Sequence, residues 1–457
     1  MSVKSKTHID LERVKRLIRS NRLASRIAGK PYSLYQRHRD KHLFNTRMQS
    51  LGELCIDHSS QPALNVIIIT VDALRNSNLS CNGYFRQTTP FLDSIKTRFK
   101  AISASPWTYP SVASLLTGLY PHNHGAVYKG TVRNVLTDDP NSYVPLTNHV
   151  VSLPEILNFM GYTTHFLTAI ILAYLPLRSG IVAHQYSAVT PAETLFRGLR
   201  KCIRKGRERQ FAYVHLADLH IPYAVPYGYN KYFGYDVNSQ EKVMIPSQTM
   251  YDNALRYVDV EIARLFDYLS DSGLLDRTVV VITGDHGESF REHRDLDSAY
   301  FYYPKGFHDV GHGHNVFHEI IEVPLMFAGA VRAEGKNNQV SLVDVVPSLL
   351  DLIGVKHRFR FDGRSIFSNP SSSEPRPLLS EACCYGYEKK ALIVGSQKLI
   401  YSKEDRIEWV FDLEKDPLEQ SPITDPKITL PMVNRLQMIS REDERLRIRE
   451  AKKRIKV

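Results

Sequence analysis

At 457 residues, 43% hydrophobic and 23% charged, the chain can bury a large core and has the make-up of an ordinary soluble globular protein. No apolar run approaches the roughly 20 residues that cross a bilayer; the longest, Phe166 to Leu177, is short, is broken by Pro176 and reads as buried core. The formal net charge of +11 sits at the two ends, since residues 1–50 hold 13 Lys/Arg against 3 Asp/Glu and residues 441–457 hold 8 against 4, so the body is not basic and a nucleic-acid partner is not expected.

Residues 1–61 read as a basic N-terminal extension with a helical pattern. Leu11, Val14, Leu17 and Ile18 fall on one face, with Arg13, Lys15, Arg16 and Arg19 around them. Such a helix suits the surface of an anionic membrane or a polyanion; the alternative is an extension packed on the body with its charges solvated. The first residues are basic but no apolar stretch follows, so no secretory signal is expected. The five cysteines, Cys55, Cys81, Cys202, Cys383 and Cys384, are odd in number and contain no CxxC, which fits a reducing compartment. The expectation is a cytoplasmic protein, with peripheral membrane contact through the N-terminal helix as its variant.

From Asn65 the texture changes. Asn65 to Asp72 is a β-branched run ending in an acidic residue, the pattern of a strand buried on both faces of a parallel sheet. Leu153 to Met160 reads as a helix, Gln210 to Leu216 as a shorter strand, and Met250 to Ser270 as a long helix. Thr278 to Thr283 is a second buried strand, running into Gly284-Asp285-His286-Gly287. Strands alternating with helices predict an α/β fold with a mostly parallel central sheet flanked by helices, over residues 62–370. After the loop-like Pro370 to Pro375, short strand-like pieces at Ala391–Val394, Leu399–Tyr401 and Trp409–Phe411 predict a small antiparallel C-terminal subdomain, residues 371–420. Residues 421–457 read as a charged helical tail.

Polar residues just beyond strand ends are where open α/β sheets bind ligands. Asp72, Asp285 and His286 would supply two carboxylate oxygens and one imidazole nitrogen, a donor set suited to Mn²⁺, Zn²⁺ or a harder divalent ion such as Ca²⁺ or Mg²⁺. For any one of them, a turn or helix cap is the plain alternative. Thr108 lies in SPWTYPSVASLLTGLYPHNHG, before a helix whose N-terminal amides suit a tetrahedral oxyanion. A free threonine is a poor nucleophile, and coordination to a divalent metal is what would activate it.

Thr108-Tyr109-Pro110-Ser111-Val112, Leu115-Leu116-Thr117-Gly118 and Tyr120-Pro121-His122 resemble the signature of the sulfatase family, within the alkaline phosphatase superfamily. The resemblance continues in order through His215 to Tyr223 (HLADLHIPY), Tyr251 to Gly287, Gly311 to Leu325 (GHGHNVFHEIIEVPL), Ser341 to Val355, Asp362 to Ser365 and Phe411 to Pro417. It spans about residues 62–420 and implies an alkaline-phosphatase-like fold. It also implies that Asp72, Asp285 and His286 bind the metal, with Thr108 at the nucleophile position among its ligands. His220 and His314 match positions that contact the anionic ester or protonate its leaving oxygen; a structural hydrogen bond is the alternative for both. A second ion held by Asp218, His220 and His314 is a further alternative.

The chain departs from the pattern at three positions. Threonine cannot be oxidised to the formylglycine aldehyde, Val112 replaces the signature arginine, and Ala73 replaces the second of the paired aspartates. Unmodified threonine resembles the phosphate-handling relatives, whose phospho-threonine intermediate is resolved by water or by an alcohol. The expected function is therefore a metal-dependent hydrolase or transferase acting on phosphate or sulfate esters, on a glycan or a lipid headgroup. The alternatives are a true sulfuric ester hydrolase working without formylglycine, and a catalytically inactive anion-binding protein of a polysaccharide or membrane assembly.

Overall fold

The computed structural model describes residues 64–129, 142–147, 149–173, 182–185, 190–203, 209–221, 223, 225–226, 228–234, 247–303, 310–331, 339–368 and 374–455. The basic extension 1–61, residues 174–177 of the longest apolar run, Pro222 and the loop around 370–373 lie outside them.

Among the described residues eight strands form the main sheet: β1 (Asn65–Val71), β2 (Thr97–Ile102), β3 (Thr163–Thr168), β4 (Val182–Gln185), β5 (Gln210–Leu216), β6 (Thr278–Gly284), β7 (Glu322–Gly329) and β8 (Val340–Ser341). Their order is β8-β2-β7-β6-β1-β5-β3-β4, and β7 alone runs against the others. The three most apolar strands, β1, β5 and β6, are buried at every position and sit together in the centre. A strand with branched apolar side chains on both faces is stable only where both faces are covered, which excludes an edge position for them.

Helices α1 (Thr108–Thr117), α2 (Leu153–Phe159) and α5 (Val345–Leu352) cover one face; α3 (Ala192–Cys202) and α4 (Gln248–Asp271) cover the other. The side chains of β1 divide by parity. Val66 and Ile68 pack with Val112, Leu116, Ile156 and Leu349, whereas Ile67, Ile69 and Val71 pack with Leu195, Phe196, Val258 and Ile262. Each fully buried aliphatic side chain contributes about 1.5–3 kcal/mol. A one-residue slip of β1 would exchange the two sets and move whatever follows Val71, so the core fixes the register of the strand's end.

A second, four-stranded antiparallel sheet follows: β9 (Leu378–Ser380), β10 (Lys390–Val394), β11 (Gln397–Ser402) and β12 (Ile407–Asp412). One face, with Ile393, Ile400, Trp409 and Phe411, packs on Phe317, Ile320 and Ile321 of the main body. The other, with Leu392, Leu399 and Val410, packs on Met432, Val433 and Leu436 of α6 (Pro426–Ile455). The architecture is thus a mostly parallel sheet flanked by helices, with a small antiparallel sheet beside it, as the sequence predicts.

Buried ion pairs tie the sheets together. His293 Nδ1 lies 2.9 Å from Glu319 Oε1, and its Nε2 is 2.9 Å from the Leu418 carbonyl oxygen. Lys398 Nζ lies 2.6 Å from Glu419 Oε1, and the His318 amide donates to Glu419 Oε2 at 3.1 Å. The donor types of His293, His318 and Glu419 could suit a cation, but both His293 nitrogens and one Glu419 oxygen are already engaged, so this cluster is an ionic tie. Among the described residues no helix is long and apolar enough to cross a membrane, and Cys81 and Cys383 are free thiols.

Candidate active site

Three parallel strands end level with one another, and the residues at those ends build the site. Val71 of β1 stands opposite Leu216 of β5 and Gly284 of β6. Asp72 follows β1, its amide donating to the Leu216 carbonyl at 3.0 Å; Asp285 and His286 follow β6; His215 is the penultimate residue of β5. All four are fully buried. Thr108 arrives by another route, as the first residue of α1, beyond the loop after β2. Ser111 Oγ donates to the Asp285 carbonyl at 2.6 Å and pins that helix to the end of β6. Gly287 is required by a close approach, because a Cβ there would collide with the backbone carbonyl of Glu319.

The Thr108 hydroxyl lies 3.2 Å from His286 Nε2 and 3.4 Å from Asp72 Oδ2. His286 Nε2 is 3.5 Å from Asp72 Oδ1 and 3.4 Å from Asp285 Oδ2. His286 Nδ1 donates to the Gly287 carbonyl at 2.8 Å, which leaves Nε2 with its lone pair facing the carboxylates. Donors sharing a zinc-like ion at about 2.0–2.2 Å stand roughly 3.3–3.6 Å apart in a tetrahedral arrangement, the spacing found here. Asp72 Oδ1 and Asp285 Oδ2 are buried with no hydrogen-bond partner among the described residues. A buried carboxylate oxygen left this way is costly, and a shared cation removes the cost. Asp72, Asp285 and His286 therefore fit a divalent cation, with Thr108 Oγ1 beside it.

Electrostatics point the same way. Burial alone would raise the Asp72 carboxyl, but a hydrogen bond from His215 and the nearby His220 and His286 hold it far below its ordinary range. Burial and the Asp72 charge push Asp285 up to about 7. Burial and the adjacent His312 lower His286 to about 3, so it stays neutral, the form that donates to a metal. Ala73, at φ 61°, takes up a left-handed backbone that costs about 1–3 kcal/mol for a residue other than glycine. The Tyr251 hydroxyl holds it by donating to its carbonyl at 2.7 Å, and its amide donates to Asp285 Oδ1 at 3.3 Å.

The outer wall differs from expectation at one histidine. His220 is at the site, its Nδ1 donating to the Ile221 carbonyl at 2.7 Å and its ring 5.2 Å from that of His312. The His312 ring lies tilted 4.2 Å from that of His286, and its Nδ1 contacts Glu288 Oε1 at 3.0 Å. Burial would lower His312, but the Glu288 carboxylate raises it to about 9. His314 lies elsewhere: its Nε2 is 3.4 Å from Asp297 Oδ2 and its ring packs on Tyr303. Residues two apart on extended chain share a face, but Gly313 between them, at φ 81°, reverses that relation. His312, and not His314, thus lies beside His286. The second-ion set does not assemble either, since Asp218 Oδ1 accepts the Ala192 amide at the start of α3 and His314 is paired with Asp297. His215, whose Nε2 lies 3.2 Å from Asp72 Oδ2, was not foreseen; the signal available was a lone polar residue near the end of a strand buried throughout.

A family model described as Sulfatase matches residues 64–355. Choline-sulfatase of Rhizobium meliloti is 31% identical over 198 residues, 41% of this chain and 35% of that protein. N-acetylglucosamine-6-O-sulfatase of Bacteroides thetaiotaomicron is 29% identical over 182 residues, 36% of this chain and 30% of that protein. The matched stretch thus spans about a third of the length of these curated relatives. The crystal structure of phosphonate monoester hydrolase of Agrobacterium radiobacter superposes with a TM-score of 0.63 at 17% identity, covering 84% of this chain and 96% of that one. At that identity the likeness shows the fold, the alkaline-phosphatase-like one.

Proposed function

The chain belongs to the sulfatase family, and from that premise we propose that it cleaves or transfers a phosphate or sulfate ester group with Thr108 as nucleophile. The observation that carries this reading is the Thr108 hydroxyl 3.2 Å from His286 Nε2 and 3.4 Å from Asp72 Oδ2, at the start of a helix. A divalent cation held by Asp72, Asp285 and His286 would lower the hydroxyl pKa and neutralise charge on the ester oxygens. With its proton lost to water, Thr108 Oγ1 then attacks phosphorus or sulfur. The bond to the leaving oxygen breaks, and His312, kept protonated by Glu288, gives that oxygen a proton. The first amides of α1, with the helix dipole behind them, face the displaced charge. Neutral His312 next takes a proton from the incoming water or alcohol, whose oxygen displaces Thr108 from the covalent ester; Thr108 recovers a proton from water. Water gives hydrolysis and an alcohol gives transfer.

Because threonine bears no route to an aldehyde, phosphoryl chemistry is favoured. Sulfate-ester hydrolysis is the second reading, and the sulfatases among the relatives favour it. The N-acetylglucosamine-6-O-sulfatase likeness favours a glycan ester as substrate, with a lipid headgroup as the variant if the basic segment 1–61 attaches the protein to an anionic membrane from the cytoplasmic side. Vesicle binding with and without residues 1–61 distinguishes the two. The test of the chemistry is a matched panel of aryl phosphate, aryl phosphodiester and aryl sulfate with added Mn²⁺ or Zn²⁺. Phosphate or diester turnover, with a phosphoryl group trapped on Thr108, is the expected result; sulfate turnover that persists in Thr108→Ala would overturn it.

A further inference from the structure

We propose that His215 is a fourth protein ligand of the cation, so that the site is built from two carboxylates and two imidazoles and selects a borderline transition ion such as Zn²⁺ over Ca²⁺ and Mg²⁺. This rests on the reading of Asp72, Asp285 and His286 as a metal-binding set.

Three observations carry it. First, the position: His215 stands on β5, on the opposite side of β1 from β6, so the two histidines approach the same carboxylates from two neighbouring strands. His215 Nε2 is 3.2 Å from Asp72 Oδ2 and 3.9 Å from Asp285 Oδ2, close to the spacing that His286 Nε2 keeps from the same two residues. Second, the orientation: His215 Nδ1 lies 2.9 Å from the Tyr213 hydroxyl, which can accept its N–H, so that a cation taking the place of the Nε2 hydrogen bond to Asp72 would meet the Nε2 lone pair. A metal-binding imidazole is characteristically oriented by such a bond on its other nitrogen, and His286 has one to the Gly287 carbonyl. Third, the surroundings: Asp285 Oδ2, which both imidazoles approach, is a buried oxygen with no hydrogen-bond partner among the described residues.

The chemical consequence follows from the donor types. Calcium and magnesium take oxygen ligands, calcium six to eight of them, and magnesium keeps much of its water. A dry pocket offering two imidazole nitrogens suits zinc-class ions instead, which also stand above Mn²⁺ in intrinsic affinity.

The experiment uses the full chain, freed of metal by chelation and titrated with Zn²⁺, Mn²⁺, Ca²⁺ or Mg²⁺. Binding is read as a shift of the thermal midpoint, and ligand number as the visible spectrum of the Co²⁺ form. For wild type, a shift is expected with Zn²⁺ and none with Ca²⁺ or Mg²⁺ at equal concentration. His215→Ala should weaken Zn²⁺ by about a hundredfold or more and change the Co²⁺ spectrum. Tyr213→Phe, which keeps the ring in place, should weaken it by about 10–100-fold and serves if His215→Ala does not fold. Unchanged affinity and spectrum in both variants, or a Ca²⁺ or Mg²⁺ shift equal to that of Zn²⁺, would overturn the assignment of His215 alone. A wild-type chain that binds none of the four ions would instead overturn the metal reading beneath it.

Discussion

The rings of His286 and His312 lie 4.2 Å apart, and their surroundings push their pKa values in opposite directions. Burial and its neighbour keep His286 neutral, lowered to about 3, whereas Glu288 raises His312 to about 9. Two like groups pushed apart by their surroundings commonly divide the work of a site: in the proposed mechanism one would be a lone-pair donor and the other a proton donor.

That division gives the first prediction. His312→Gln should slow the cleavage of esters with poor leaving groups, such as sugar alcohols, by about 10²–10⁴-fold. A 4-nitrophenyl ester, whose leaving oxygen needs little protonation, should be affected far less. His314→Gln should leave this contrast as in wild type, since His314 contacts Asp297 and Tyr303. Steady-state rates on the two ester types decide it, and equal losses on both would remove His312 from the acid role.

Thr108→Ala should lower turnover by about 10³-fold or more while leaving the thermal midpoint within a few degrees of wild type. Thr108→Ser restores a hydroxyl on the same backbone and should restore turnover. A Thr108→Ser variant as inactive as Thr108→Ala would show that the hydroxyl is not the attacking group.

Gly287→Ala places a methyl group against the Glu319 carbonyl, which is backbone and cannot swing aside. The expected cost is about 1–3 kcal/mol in chemical denaturation. Because Gly287 also provides the carbonyl that orients His286, divalent-cation affinity should fall with stability. Unchanged affinity in a destabilised variant would mean that the site tolerates the shift.

The buried pair of His293 and Glu319 predicts how stability depends on pH. Glu319 is buried, yet His293 holds its carboxyl down to about 2 from an ordinary 4.5, so its contribution is complete above about pH 4.5 and is lost as pH falls through about 2. Burial would lower His293, but the Glu319 hydrogen bond raises it above 6.5. Its contribution is therefore complete below about pH 6.5 and is lost as pH rises through the raised value. The gap in thermal midpoint between wild type and Glu319→Gln should be widest from about pH 4.5 to 6.5 and shrink on either side. A gap that does not vary with pH would show that the pair is not ionised in the folded protein.

The fold was legible in the sequence where burial is absolute. The β-branched runs of β1 and β6 announce central strands, and the acidic residues at their ends then meet because parallel strands in register end together. Thr108 was legible for a similar reason, as the entry to an apolar helix. What escaped was set by contacts between distant segments or by one backbone angle. No local pattern in QFAYVHL shows that His215 ends beside Asp72, because that depends on β5 pairing with β1. The choice between His312 and His314 turned on Gly313, whose positive φ sends two histidines in a GHGH run to different places.

The small sheet reaches the Thr108 loop as well as the body. The carbonyl of Ala382, just past β9, accepts the Trp107 indole N–H at 2.7 Å, and the amides of Cys384 and Tyr385 donate to the Gly313 carbonyl at 2.7 and 2.9 Å. The residue before Thr108 and the residue after His312 are thus both fastened by chain that is synthesised some 70 to 270 residues later. On a ribosome the main sheet can form while these fasteners are still inside the exit tunnel. A break in the chain between β8 and β9 would leave the loops of Thr108 and His312 without these two fasteners.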